Sequence, residues 1–167
     1  LYGISGSTNI IEIHNALLTN GNPLLVYISL LFILVGFGYK ISMAPFHYWT
    51  PDVYEGSPTP VTAFFSIGPK AAGFAILIRI IYTIFTDNGG LNAATSLYDV
   101  NWTLIFAVLA AITMTVGNFL ALHQENVKRL LAFSSISHVG FMLIGLSVIG
   151  TEALSAVLFY LVVYLFM

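Results

Sequence analysis

Residues 38–73 read GYKISMAPFHYWTPDVYEGSPTPVTAFFSIGPKAAG, and the reading of this stretch decides the fold. It joins two long apolar runs through a short acidic, proline-rich turn and sets one lysine inside each run. Lys40 lies ten residues before Thr50, where the polar turn begins, and Lys70 lies ten residues after Pro60, where it ends. Ten helical residues span roughly 15 Å, about half of a hydrocarbon core roughly 30 Å thick. On neighbouring antiparallel helices the two ammonium groups would therefore meet near mid-membrane. A charge at that depth is costly, which makes an ionisable residue there a functional hypothesis by default.

The composition supports a membrane setting. Of 167 residues 58% are apolar and only 7% charged, and the mean hydropathy is +0.92. Soluble domains carry about 25% charged residues. This chain cannot present a solvated surface all round and reads as an integral membrane protein, with the lipid bilayer as its first partner. The absence of cysteine excludes disulfides, thiolate metal sites and thiol catalysis. Five Lys and Arg residues scattered along the chain make no basic face, so nucleic acid is not an expected partner. The chain starts at Leu1 and stops at Met167 within an apolar run, and is expected to be an internal piece of a longer polytopic protein.

Outward from the opening stretch, the pattern predicts an all-α transmembrane bundle of about four full spans and part of a fifth. Residues 1–23 form an outer loop able to carry a short interfacial helix over Asn9–Leu18, capped by Thr8 or Asn9. The first span covers 24–49, the inner turn 50–60, and the second span 61–85. An outer loop over 86–100, a third span over 101–122, an inner loop over 123–129 and a fourth span over 130–149 follow, and a fifth span begins at 153–167. Pro45 is expected to interrupt the first span by removing an N–H and clashing with the Ile41 carbonyl. Pro69 is expected to interrupt the second beside Lys70, freeing the Phe65 carbonyl. A helix broken near a charge usually lines a cavity where water can satisfy the freed backbone. The small-residue pairs Gly68/Ala72, Ala71/Ala75 and Ala107/Ala111 suit close helix packing. Lys128 and Arg129 in the 123–129 loop, against Asp87 and Asp99 with no Lys or Arg in 86–100, put the former loop on the cytoplasmic or matrix side.

Lys40 and Lys70 are the leading candidates for chemistry, as members of a proton relay. The competing reading is snorkelling, in which the stem lies along the helix and the ammonium reaches the interface. His138, about nine residues into the fourth span, is a weaker relay candidate and otherwise a hydrogen-bonded packing residue. Lys128 opens a helix on the basic side, where a topological role suffices and a relay role stands second. His47 reads as a packing residue, and Arg79 as snorkelling outward or pairing with a carboxylate. Asp52 and Glu55 read as turn formers and caps or a contact surface, and Glu12 and His14 as facing water or headgroups. Four histidines at no ligand spacing argue against a metal site, and no phosphate loop, Ser/His/Asp set or haem pattern is visible.

Two longer runs carry a resemblance. FGYKISMAPFHYWTPDVYEGSPTPVTAFFSIGPKAAGF (37–74) and GNFLALHQENVKRLLAFSSISHVGFMLIGL (117–146) resemble the antiporter-like membrane subunits of NADH-quinone oxidoreductase, respiratory complex I. PDVYEG and the Pro69–Lys70 pair favour the subunit N branch, called subunit 2 in mitochondria. The resemblance implies a fourteen-helix subunit in which this chain matches the seventh to tenth helices and part of the eleventh, the seventh being broken. It implies that Lys40 is the seventh-helix lysine at the centre of a half-channel and that Lys70 is the eighth-helix lysine passing protons laterally. The family's partner glutamate on the fifth helix and its lysine on the twelfth fall outside this sequence. Also implied is a non-redox, proton-translocating role with other membrane subunits of the complex as partners. NADH, FMN, iron–sulfur clusters and quinone would belong to partner subunits, with no cofactor in this chain. The implied location is the bacterial inner (plasma) membrane, or the mitochondrial inner membrane if organellar. The segment alone is not expected to be catalytic. Two alternatives stay open: a subunit of a multisubunit cation/proton antiporter or membrane-bound hydrogenase, and a structural scaffold whose lysines snorkel and tolerate Lys→Leu.

Overall fold

The computed structural model describes residues 1–20, 22–85, 100–148 and 150–166. These residues form eight helices: α1 (Tyr2–Ser5), α2 (Ile10–Asn20), α3 (Pro23–Ile41), α4 (Trp49–Gly56), α5 (Thr59–Ile84), α6 (Trp102–Leu122), α7 (Val127–Ser147) and α8 (Thr151–Leu165). Four of them (α3, α5, α6 and α7) are long and apolar enough to cross a membrane, and α8 adds a shorter apolar helix. The fold is an all-α membrane bundle. The loop expected over 86–100, with Asp87 and Asp99, lies outside the described residues except for Val100.

Asparagines set where three of the spans start. Asn22, Asn101 and Asn126 N-cap α3, α6 and α7, their side chains accepting from the backbone N–H of Leu24, Leu104 and Lys128. Each cap satisfies a donor that the first helical turn would leave unpaired.

The break after the first span comes earlier than Pro45 suggests. Helix α3 stops at Ile41, Ser42 turns left-handed at φ 64°, and the Met43 N–H closes back on the Gly38 carbonyl at 2.8 Å. Gly38 has to lack a side chain here, since a Cβ would lie 2.8 Å from the Phe46 ring and 2.9 Å from the Met43 methyl. Pro45 therefore sits within the break and does not kink a continuous helix. The stretch read as a turn over 50–60 holds α4 instead, with Pro51 in the first turn, where its missing N–H forfeits no intrahelical bond, and Asp52 in the favourable first turn. Side chains fasten the break on both sides. Thr50 Oγ1 donates to Ser42 Oγ at 2.7 Å, Trp49 Nε1 to the Tyr39 carbonyl at 2.9 Å, and the Ala44 N–H to Thr113 Oγ1 on α6 at 3.2 Å.

Pro69 behaves differently from expectation: α5 runs unbroken through it from Thr59 to Ile84. One missing hydrogen bond is tolerated in a membrane helix when packing holds the two halves in line. Here Phe74, Leu77 and Ile81 bury the face that follows it.

The closest backbone approach is between α6 and α7, and other residues than the predicted small pairs create it. A Cβ on Gly117 would meet Ser137 N at 2.7 Å, and one on Gly140 would meet Met114 N at 2.9 Å. Ala72, Ala75, Ala107 and Ala111 are exposed on outward faces. At the opposite end from α4, α2 buries Ile13 and Leu17, and His14 Nδ1 donates to the terminal Ile84 carbonyl of α5 at 3.0 Å. His14 is thus a helix-end partner and does not simply face water.

Candidate functional site

Lys70 stands halfway along α5, and its side chain is 1% exposed. Its Nζ donates to Ser135 Oγ at 2.7 Å and to the Ser135 carbonyl at 3.3 Å. Ser135 Oγ in turn donates to the Ala132 carbonyl at 2.8 Å, so its proton points away and its lone pairs are left for the ammonium. The Tyr54 ring of α4 covers the other side of Nζ at 5.8 Å, a distance within cation–π range. Among the described residues no carboxylate pairs with Lys70.

Beside this group is a cavity of ≈ 460 Å³ between α4, the first half of α5, α7 and the end of α8. Thr59, Thr62, Ser66, Ser134 and Ser135 supply hydroxyls to its wall, and Lys128, His138, Tyr54 and Tyr164 supply the larger polar groups. Lys128 and His138 are ten residues apart on α7, so the cavity reaches roughly 15 Å down the helix from its basic end. His138, half-buried one turn deeper than Ser135, shares a 2.7 Å hydrogen bond through Nδ1 with the Tyr160 hydroxyl of α8 and packs against the Tyr164 ring at 4.9 Å.

The rim of the cavity is held by charge. Lys128 Nζ donates to the Ser57 carbonyl at 2.9 Å, capping the end of α4. Arg129 Nη1 lies 2.8 Å from both Asp52 and Glu55, and Asn126 Nδ2 donates to Glu55 at 2.8 Å. Two acidic residues one helical turn apart on α4 thereby clamp it to the start of α7.

The structure brings together three of the four candidate residues: Lys70, Lys128 and His138 all border or adjoin the cavity. Lys40 does not join them. It lies in the last turn of α3, exposed, with its Cγ beside Gly73, one turn along α5 from Lys70. The expectation that Lys40 sits far from any helix end fails because α3 stops at Ile41, where unsatisfied carbonyls favour a cation. His47 is buried in the break with Nδ1 unpartnered and its ring stacked on Tyr48 at 4.6 Å. Arg79 is exposed on α5. Among the described residues, no group of three or more His, Asp or Glu could hold a metal ion.

Sequence reading missed Ser135, Tyr54, Tyr160 and Tyr164. A signal existed for the first of these: the Ser134–Ser137 run inside an apolar helix is unusual, and serines there hydrogen-bond across helices.

The family profile described as "NADH:quinone oxidoreductase/Mrp antiporter, TM" matches residues 1–167. Among curated proteins the chain is similar to NADH-quinone oxidoreductase subunit N 2 of Sorangium cellulosum, with 57% identity over 87% of this chain and 28% of that protein. It is also similar to NADH-quinone oxidoreductase subunit N of Chlorobium chlorochromatii, with 46% identity over 100% of this chain and 32% of that one. NAD(P)H-quinone oxidoreductase subunit 2 of Prochlorococcus marinus is 51% identical over 100% of this chain and 30% of its own length. The chain thus spans 28% to 32% of these relatives. Among solved structures, a chain of respiratory complex I from Thermus thermophilus with bound Aureothin matches with a TM-score of 0.68 at 38% identity, over 96% of this chain and 32% of that chain. A chain of the Mrp complex from Dietzia sp. matches with a TM-score of 0.79 at 26% identity, over 98% of this chain and 28% of that chain.

Proposed function

The chain belongs to the NADH:quinone oxidoreductase/Mrp antiporter transmembrane family, and we propose that it is the central proton-translocating part of subunit N of an NADH-quinone oxidoreductase. One observation carries the reading. Lys70 is 1% exposed at mid-helix, and a serine hydroxyl and carbonyl are its hydrogen-bond partners. An ammonium at the centre of a membrane helix costs about 2.5–3.5 kcal/mol or more, and such groups mark ion and proton pathways. A serine cannot neutralise the charge, so the site favours a group that gives its proton up and takes it back.

In this reading protons enter from the Lys128 end of the cavity along its hydroxyl-lined wall and reach Lys70 past Ser135. They move laterally between Lys70, Lys40 at the α3–α5 contact beside Gly73, and the His138–Tyr160 pair on the side of α7 and α8, with water bridging the gaps. Lys40 would find its counter-charge on a helix of the longer subunit. Electron transfer, with its NADH, FMN, iron–sulfur and quinone chemistry, belongs to partner subunits of a complex in the bacterial plasma membrane. Identities of 46% to 57% to subunit N proteins favour this role over cation exchange of the Mrp type, whose likeness rests on 26% identity.

The test is made in the full-length subunit within its complex. Lys70→Met keeps chain length and apolar packing while removing the titratable group. Proton flux in inverted membrane vesicles, normalised to assembled complex, should fall severely, and quinone reduction with it where the two are tightly coupled. Lys40→Met should behave likewise. Wild-type flux in an assembled Lys70→Met complex would return that lysine to a structural role.

A further inference from the structure

We infer that Tyr54 is the seal between the cavity and Lys70, and that the Arg129 clamp on α4 is what keeps this seal seated. Lys70 itself is not part of the cavity wall; Tyr54 and Ser135 stand between its ammonium and the open volume. Ser135 is fixed to Lys70 and to its own helix by three hydrogen bonds. Tyr54 is held differently. Its ring is 1% exposed and faces Nζ at 5.8 Å, while its hydroxyl, turned toward Ser135, makes no hydrogen bond of ordinary geometry. Buried hydroxyls are nearly always paired. A phenol held only by a poorly aligned contact to Ser135, at the wall of a cavity lined by hydroxyls, gains a better partner by moving outward, so the closed position is favoured by packing and opposed by its own polar end. That balance is what a movable seal requires.

The balance is set from the surface. Tyr54 rides on α4, an eight-residue helix too short to hold its place alone. Asp52 and Glu55 flank Tyr54 in sequence and both reach Arg129 Nη1 at 2.8 Å, so the clamp acts on the turn that carries the ring. Asp52 and Glu55 are solvent-accessible, with side-chain exposures of 72% and 41%, so salt screens the pairs. Access of water to the buried lysine is then governed by an exposed ion-pair cluster at the membrane surface. The inference rests on the proton-relay reading of Lys70.

The experiment measures access and not pumping. In the purified, assembled complex, Lys70→Cys is introduced into the full-length subunit and its rate of modification by neutral methyl methanethiosulfonate is followed, with labelling of the parent complex subtracted. Adding Tyr54→Ala should speed modification by about ten-fold or more, as expected when local opening becomes easy. Tyr54→Phe keeps the ring and removes the polar end that favours opening, so it should slow modification below that of Lys70→Cys alone. Arg129→Gln should speed it as well, and raised salt should speed it while Arg129 is present but have little effect once Arg129→Gln is made. Equal rates with and without Tyr54→Ala, or a Tyr54→Phe rate matching Tyr54→Ala, would overturn the seal. A rate unmoved by both Arg129→Gln and salt would overturn the clamp. If Tyr54→Ala prevents assembly, Arg129→Gln and the salt series decide the question. Normal pumping by a Lys70→Met complex would defeat the relay reading and leave the labelling result standing.

Discussion

Lys40 and Lys70 are placed alike in the sequence, each ten residues from the same turn, yet they reach opposite environments. Lys40 ends α3 and is exposed, whereas Lys70 is enclosed by Ser135 and Tyr54. The mid-helix place of Lys70 could be read from spacing; the partner could not, because Ser135 is sixty-five positions away on another helix. The enclosure separates two substitutions. Lys70→Arg keeps a positive charge but supplies a guanidinium that does not release its proton and a planar fork that the Ser135 site was not shaped for. Proton flux in inverted vesicles should fall by roughly ten-fold or more, as when a positioned acid–base group is lost. A lysine kept only for its charge predicts near-normal flux with Arg, and that result would count against the relay.

Among the elements, the α6–α7 pair is the most tightly built, and its glycines decide how close the helices come. Gly117→Ala puts a methyl 2.7 Å from Ser137 N and 3.0 Å from its Cα, and backbone there cannot yield as a side chain would. The expected loss is about 1–3 kcal/mol, read as a lower unfolding midpoint of the full-length subunit in detergent. Ala107→Gly, on an exposed face of the same helix, should cost no more than about 1 kcal/mol, the ordinary helix-propensity penalty. An unchanged midpoint for Gly117→Ala would mean the two backbones are further apart than described. Small residues four apart are abundant in this chain, and only packing distinguishes the pairs that face a neighbour from those that face lipid. The two prolines make a similar point. Pro69 lies in a helix that runs on unbroken through it, while Pro45 follows a break already made by the Ser42 turn and the Gly38–Met43 closure.

For the whole molecule, the polar ends of the bundle are distinct. Lys128 and Ser57 meet at one end, and His14 and Ile84 meet at the other. This chain has no cysteine, so with labelling of the parent subtracted Ser57→Cys and Glu12→Cys in the full-length subunit report sidedness. In intact cells an impermeant maleimide should modify Glu12→Cys, while Ser57→Cys should react only after the membrane is opened. The reverse pattern would invert the orientation drawn from the loop charges and with it the side from which the cavity fills.

The all-α membrane class, the number of long spans and the mid-helix place of Lys70 follow from the sequence by itself. They depend on the solvent, through apolar length against bilayer thickness. Lys40 marks the boundary of that reasoning, since its spacing from the acidic turn was legible and its place at a helix end was not. Only the tertiary structure decided that Lys70 turns to Ser135, that Tyr54 stands between it and the cavity, and that Arg129 holds Asp52 and Glu55. Those outcomes depend on how helices distant in sequence rotate against one another, which close approach at Gly73, Gly117 and Gly140 determines and linear periodicity does not encode.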